Sequence, residues 1–217
     1  MKLSFSNRGW GSLPWDELVD LVAEMDYQGI EVYNLLKTPE LIGKGGAFEG
    51  ATARATSRDL RNRGLRIPVF DTSLDISTEG DELASVIADA MHLIDIASDM
   101  RVEFICVKAQ REDDDAIARA HSAVDELLPY AIERNVSILI ETSGIFADTK
   151  RLMELLDAYA SDSLGALWDV HHPYRDFDED PSVTITNLGA YVKHVHLRDS
   201  DNANTYNLVG EGTLPLD

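Results

Sequence analysis

The sequence predicts an α/β fold, a (βα)8-type barrel truncated before its eighth strand. Three observations lead there. Short apolar runs alternate with longer segments of three-to-four periodicity, the βαβα pattern of a parallel sheet with helices packed outside it. The runs start 26 to 37 residues apart, room for a right-handed crossover each time. The turn after the first run, Asn7-Arg8-Gly9-Trp10-Gly11, lacks the GxGxxG spacing of an open dinucleotide-binding sheet.

The strands expected in order are 3–6, 29–33, 66–70, 102–108, 136–141, 164–169 and 192–197. Pro68 sits awkwardly in the third, where its missing N–H removes a ladder bond. A helix is expected over 14–25, with Pro14 at its start, Asp16 and Glu17 in its first turn, and Leu18, Val19, Val22, Ala23 and Met25 on one stripe. Further helices are expected over 50–63, 81–100, 113–135 and 148–160. A complete barrel takes about 250 residues and eight strands, and the next strand at this interval would begin beyond residue 217. We therefore expect a single domain over 1–217 that lacks the last βα unit, with its open edge covered by a second copy or by a further C-terminal segment.

Composition narrows the function. Nineteen basic against 39 acidic side chains give a net charge of −20, and residues 67–217 carry ten basic and thirty acidic ones. Such a surface repels nucleic acid, whose binding rests on cationic contacts to phosphate. The single Cys106 cannot form an internal disulfide and reads as a small core residue. No run approaches the roughly 20 apolar residues of a membrane span, and the first residues do not resemble a signal peptide. The expectation is a cytoplasmic protein with no nucleic-acid or membrane partner.

Barrel enzymes of this kind carry their chemistry at the C-terminal ends of the strands. There stand Glu141 at the end of VSILIE, Asp169 at the end of LGALWD, and His194 and His196 near the end of VKHVHL. Period-two alternation puts Ser137, Leu139 and Glu141 on one face, and both histidines inward. Glu141, Asp169 and His196 would offer mixed oxygen and nitrogen ligands to a divalent cation such as Mn, Co, Mg or Zn. Trp168, alternating with Asp169, should pack under a helix. Trp10 and Trp15 are candidates for stacking on a sugar. Lys108 is more simply a solvated strand end than a pocket residue. His92 and His121 lie within helical patterns and read as structural.

The segments LIET (139–142), LWDVHHPYR (167–175), KHVHLRDS (193–200) and VGEGTLPLD (209–217), with WDELVDLVAEMDYQGIEVY (15–33), resemble the xylose isomerase-like TIM-barrel family of sugar isomerases and epimerases. The resemblance implies Glu141 as metal ligand and catalytic acid-base group, Asp169 and His196 as further metal ligands, and His172 as a substrate contact. It leaves His194 a supporting role. Arg198 would bind a substrate oxygen or phosphate, or else pair with Asp199 or Asp201, and His171 and Arg175 would shape the pocket. The family's further glutamate, on strand eight, has no counterpart, and Glu211 belongs to the loop before it.

The implied function is a divalent-metal-dependent isomerase or epimerase acting on a sugar or sugar derivative through an enediolate. The alternatives are a related metal-dependent polyol dehydratase and a non-catalytic barrel fragment that binds a carbohydrate or a partner. An endonuclease IV-like reading conflicts with the −20 charge.

Overall fold

The computed structural model describes residues 2–10 and 13–216. Seven parallel strands run in sequential order: β1 (Ser4–Ser6), β2 (Gly29–Tyr33), β3 (Val69–Asp71), β4 (Phe104–Val107), β5 (Ser137–Glu141), β6 (Leu164–Asp169) and β7 (Val192–His196). Helices α1 (Trp15–Glu24), α2 (Pro39–Ile42), α3 (Gly50–Asn62), α4 (Gly80–Met100), α5 (Ala116–Glu133), α6 (Thr149–Tyr159), α7 (His171–Phe177) and α8 (Pro181–Leu188) lie between them. The alternation follows the expected order. The third strand is shorter than expected: Arg66 keeps only a bridge to Gly29, and regular pairing resumes at Val69, after Pro68.

Helix α1 buries Leu18, Val19 and Val22 at helical spacing. Helix α4 buries Ile87, Ala90, Leu93, Ile94, Ala97 and Met100, again at intervals of three and four. Those stripes meet the outward residues of the strands, among them Ile30, Val32, Ile105, Ile138 and Ile140, in one continuous core. Helices α2, α7 and α8 were not evident from periodicity, because elements of 4, 7 and 8 residues hold only about one to two turns of pattern.

The sheet is strongly curled. Strands β2 and β7 stand five places apart in it, which at about 4.8 Å per place is more than 20 Å in a flat sheet. Yet Glu31 on β2 hydrogen-bonds to His194 and His196 on β7, so the sheet wraps around a lumen. Among the described residues β1 and β7 are its two edges. A small apolar layer of Val69, Cys106, Leu139 and Leu167, one residue from each of β3 to β6, fills the lumen. Cys106 takes the core place expected of it.

After β7 the chain forms an antiparallel hairpin, β8 (Asp199–Asn202) and β9 (Thr205–Asn207). The buried Asp199 carboxylate organises the hairpin and the loop after it by accepting hydrogen bonds from the backbone N–H groups of Ser200, Gly210, Gly212 and Leu214 at 2.8 to 3.2 Å. A Cβ on Gly212 would strike that carboxylate. Among the described residues no helix is long and apolar enough to cross a membrane.

Candidate active site

The apolar layer determines where the polar groups appear. Side chains alternate along a strand, so the residue two places after each member of the layer also faces the lumen, one step nearer the C-terminal mouth. Val69 is followed in this way by Asp71, Cys106 by Lys108, Leu139 by Glu141 and Leu167 by Asp169. Register places His194 beside Leu167 and His196 beside Asp169, after an irregularity between Ala166 and Leu167. Glu31 completes the ring from β2.

These strand-end residues all lie inside. Glu31, Asp71, Lys108, Glu141 and Asp169 are buried, and His196 nearly so. The Lys108 ammonium makes an ion pair with Glu141 and lies 3.6 Å from Asp71. The expectation of a solvated Lys108 is thus corrected: two carboxylates on the neighbouring strands draw it inward. Burial works against its charge, but Glu141 and Asp71 outweigh burial and hold its pKa above the ordinary lysine value. Burial pushes Asp71 up to about 6, with Lys108 opposing and the charges of Glu141 and Glu31 adding to the rise. Neither oxygen of Asp71 accepts a hydrogen bond, and Glu141 Oε1 also has no donor.

Arg198 takes a partner that the sequence reading did not name. Its guanidinium does not pair with Asp199 or Asp201 but grips Asp169, Nε donating to Oδ1 at 2.9 Å and Nη2 contacting Oδ2. Nη2 also lies 2.8 Å from Nε2 of His172. His172 sits on α7 rather than on a loop, with Nδ1 2.6 Å from Asp176 and Nε2 4.0 Å from Glu141. Burial opposes ionisation of Asp169, but His196 and Arg198 outweigh it and hold its carboxyl well below the usual range. Burial likewise disfavours the His196 imidazolium, but Asp169 and Glu31 push its pKa up to about 10. His171 and Arg175 both reach Ser200 of the hairpin, at 3.0 Å, and so brace α7 rather than enter the lumen.

Of the expected residues, then, the structure brings Glu141, Asp169, His172, His194, His196 and Arg198 to one mouth. Trp168 lies on the other face of β6, its partner across the ladder being the outward Val195. Trp10 and Trp15 pack edge-on against Phe5 and Phe48. Sequence reasoning passed over Glu31 and Asp71. The signal for Glu31 was a carboxylate in the middle of the apolar run GIEVY, a place where an ionised group needs a partner.

Profile and structural comparisons agree with this architecture. A profile of the xylose isomerase-like TIM barrel matches residues 19–217. The chain belongs to that family. No curated protein matches its sequence. Among solved structures, the probable 3-DHS dehydratase AsbF of Bacillus anthracis superposes with a TM-score of 0.82 at 16% identity, over 99% of this chain and 85% of that one. D-psicose 3-epimerase of Clostridium cellulolyticum H10, solved with D-tagatose, gives 0.77 at 14%, over 99% and 78%. The IolI protein with a binding zinc atom gives 0.82 at 14%, over 100% and 82%. These likenesses establish the fold.

A divalent cation suits the groups present in this family member. Four buried carboxylates, Glu31, Asp71, Glu141 and Asp169, face two permanent cations, Lys108 and Arg198. Once His196, whose pKa is raised, gives up its proton to coordinate, the surplus is two negative charges, which one divalent ion would balance. His196 Nδ1 lies 3.8 Å from Asp169 Oδ2 and 4.0 Å from Glu141 Oε1, the oxygen not paired with Lys108. Glu141, Asp169 and His172 also converge closely enough to share an ion. Arg198 is the competitor for Asp169.

Proposed function

We propose that this protein is a divalent-metal-dependent isomerase or epimerase of a small sugar or sugar derivative. The observation that carries the reading is the convergence of Glu141, Asp169 and His196 from three adjacent strands on one buried, electronegative mouth. Glu141, Asp169 and His196 would hold the cation, which when bound acts as a Lewis acid toward a substrate carbonyl and its neighbouring hydroxyl. Glu141 is the base. It takes the proton from the carbon next to the carbonyl, leaving an enediolate; for isomerisation it returns that proton to the former carbonyl carbon while the hydroxyl proton passes to the former carbonyl oxygen, and for epimerisation a proton from solvent adds to the opposite face while Glu141 releases its own to solvent.

The surrounding groups support that transfer. Lys108 holds Glu141 in place through their ion pair. Arg198 and His172 form the substrate-facing wall, and Arg198 in turn aligns Asp169. Loss of a hydroxyl from the same enediolate would make the enzyme a dehydratase, the activity named for AsbF.

The test is proton exchange in D2O with Mn2+, followed by NMR on a panel of ketoses, aldoses and keto-glycosides. Wild type is expected to place deuterium at the carbon next to the carbonyl of at least one of them. Glu141→Gln, folded by circular dichroism, is expected to lose about a hundredfold or more. Exchange by Glu141→Gln at the wild-type rate, or no exchange by metal-loaded wild type on any substrate, overturns the reading.

A further inference from the structure

One buried carboxylate has no part in that chemistry. Glu31 lies on β2, opposite the ligands, and its Oε2 accepts a hydrogen bond from Nε2 of His196 at 2.8 Å and from Nε2 of His194 at 3.1 Å. The two imidazoles meet that single oxygen edge-to-face, their planes 87° apart. The other nitrogen of His196, Nδ1, faces the opposite way, toward Asp169 and Glu141. A neutral imidazole carries one N–H and one lone pair, and the hydrogen bond made by one nitrogen decides the state of the other.

We propose that Glu31 is a positioning residue that captures the Nε2–H of His196 and so leaves Nδ1 as the donor presented to a cation held with Glu141 and Asp169. The inference rests on the metal reading above and adds to it which atom of His196 binds and what selects it. Carboxylates of this kind behind metal-bound histidines orient the ring and raise its basicity, and losing one costs about 10- to 100-fold in metal affinity. His194 is the second arm of the device. It shares the same oxygen, so its ring holds the Glu31 carboxylate between two donors and keeps it from turning toward the ion. Glu31 Oε2 already accepts from two imidazoles, so it is not expected to recruit a second cation.

The experiment uses the full chain loaded with Zn2+, which is diamagnetic. Zn2+ affinity is measured by competition with a chromophoric chelator, stoichiometry by elemental analysis, and the His196 ring by long-range 1H–15N NMR. Wild type is expected to bind one Zn2+ with Nδ1 coordinated and Nε2 protonated. Glu31→Ala is expected to bind about 10- to 100-fold more weakly, with a disturbed ring signature. Glu31→Gln, whose amide oxygen still accepts from Nε2–H, is expected to recover most of the loss. Coordination of wild type through Nε2 overturns the proposal however the variants fold. So does a second Zn2+ on Glu31, or wild-type affinity with Nδ1 coordination in Glu31→Ala. Failure of wild type to bind Zn2+ overturns the metal reading itself, and this one with it.

Discussion

Lys108, Asp71 and Glu141 show how much depends on one buried side chain. The ammonium serves both carboxylates, so deleting it leaves two buried negative charges facing each other. We expect Lys108→Met to lower the stability of the metal-free protein by about 3 to 5 kcal/mol in urea unfolding. A loss below about 1 kcal/mol would mean that water reaches these carboxylates. Asp71 gives a pH signature of known sign. Its folded pKa is raised from the ordinary 3.8 to about 6, chiefly by burial. The unfolded chain therefore ionises first, and folding loses stability as pH climbs between those values. Above about pH 6 the penalty is complete. Asp71→Asn is then expected to stabilise the metal-free protein at pH 7.5 by up to about 3 kcal/mol, and to make no difference at pH 3. Equal thermal stability of variant and wild type at pH 7.5 contradicts a buried, ionised Asp71.

Two loops position the mouth at the scale of the element. Behind Glu141 the chain enters a 3-10 turn at Gly144, whose φ is +57° and whose missing side chain lets the backbone lie against the carbonyl of Ala109 after β4. An alanine there would collide with that oxygen in a conformation that already disfavours a Cβ. Gly144→Ala is expected to cost more than about 2 kcal/mol, and a chevron or urea midpoint close to wild type would refute the close approach. The hairpin β8–β9 depends instead on Asp199 and its four backbone donors. In Asp199→Ala we expect the amides of Gly210, Gly212 and Leu214 to exchange faster with solvent deuterium while those of β5 keep their protection. Uniform loss of protection would instead make Asp199 part of the global fold. The short elements α7 and α8 and this hairpin were illegible in the sequence because tertiary anchors create them: Ser200 holds α7 through His171 and Arg175.

The whole molecule carries a charge of −20. Self-repulsion of that size opposes compaction, and salt screens it over about 8 Å at physiological ionic strength. The melting temperature is therefore expected to rise between 10 and 300 mM NaCl in calorimetry. A fall would show that attractive ion pairs outweigh the general repulsion.

At this scale it is also plain which features were readable from residues alone. Strand and helix order, the inward pointing of Glu141, Asp169, His194 and His196, and the core place of Cys106 follow from periods of two and near four, which each residue shares with close neighbours in the chain. Pairing across the lumen does not follow from any local period. Glu31 meets its histidines over 163 and 165 residues of sequence. Lys108 turns inward because carboxylates wait on both adjacent strands, and Arg198 passes over its sequence neighbour Asp199 for Asp169, 29 residues away. Those choices were made only when the sheet curled and brought its ends together, since burial, by removing water as the competing partner, makes each charge take whichever opposite charge the curvature places beside it.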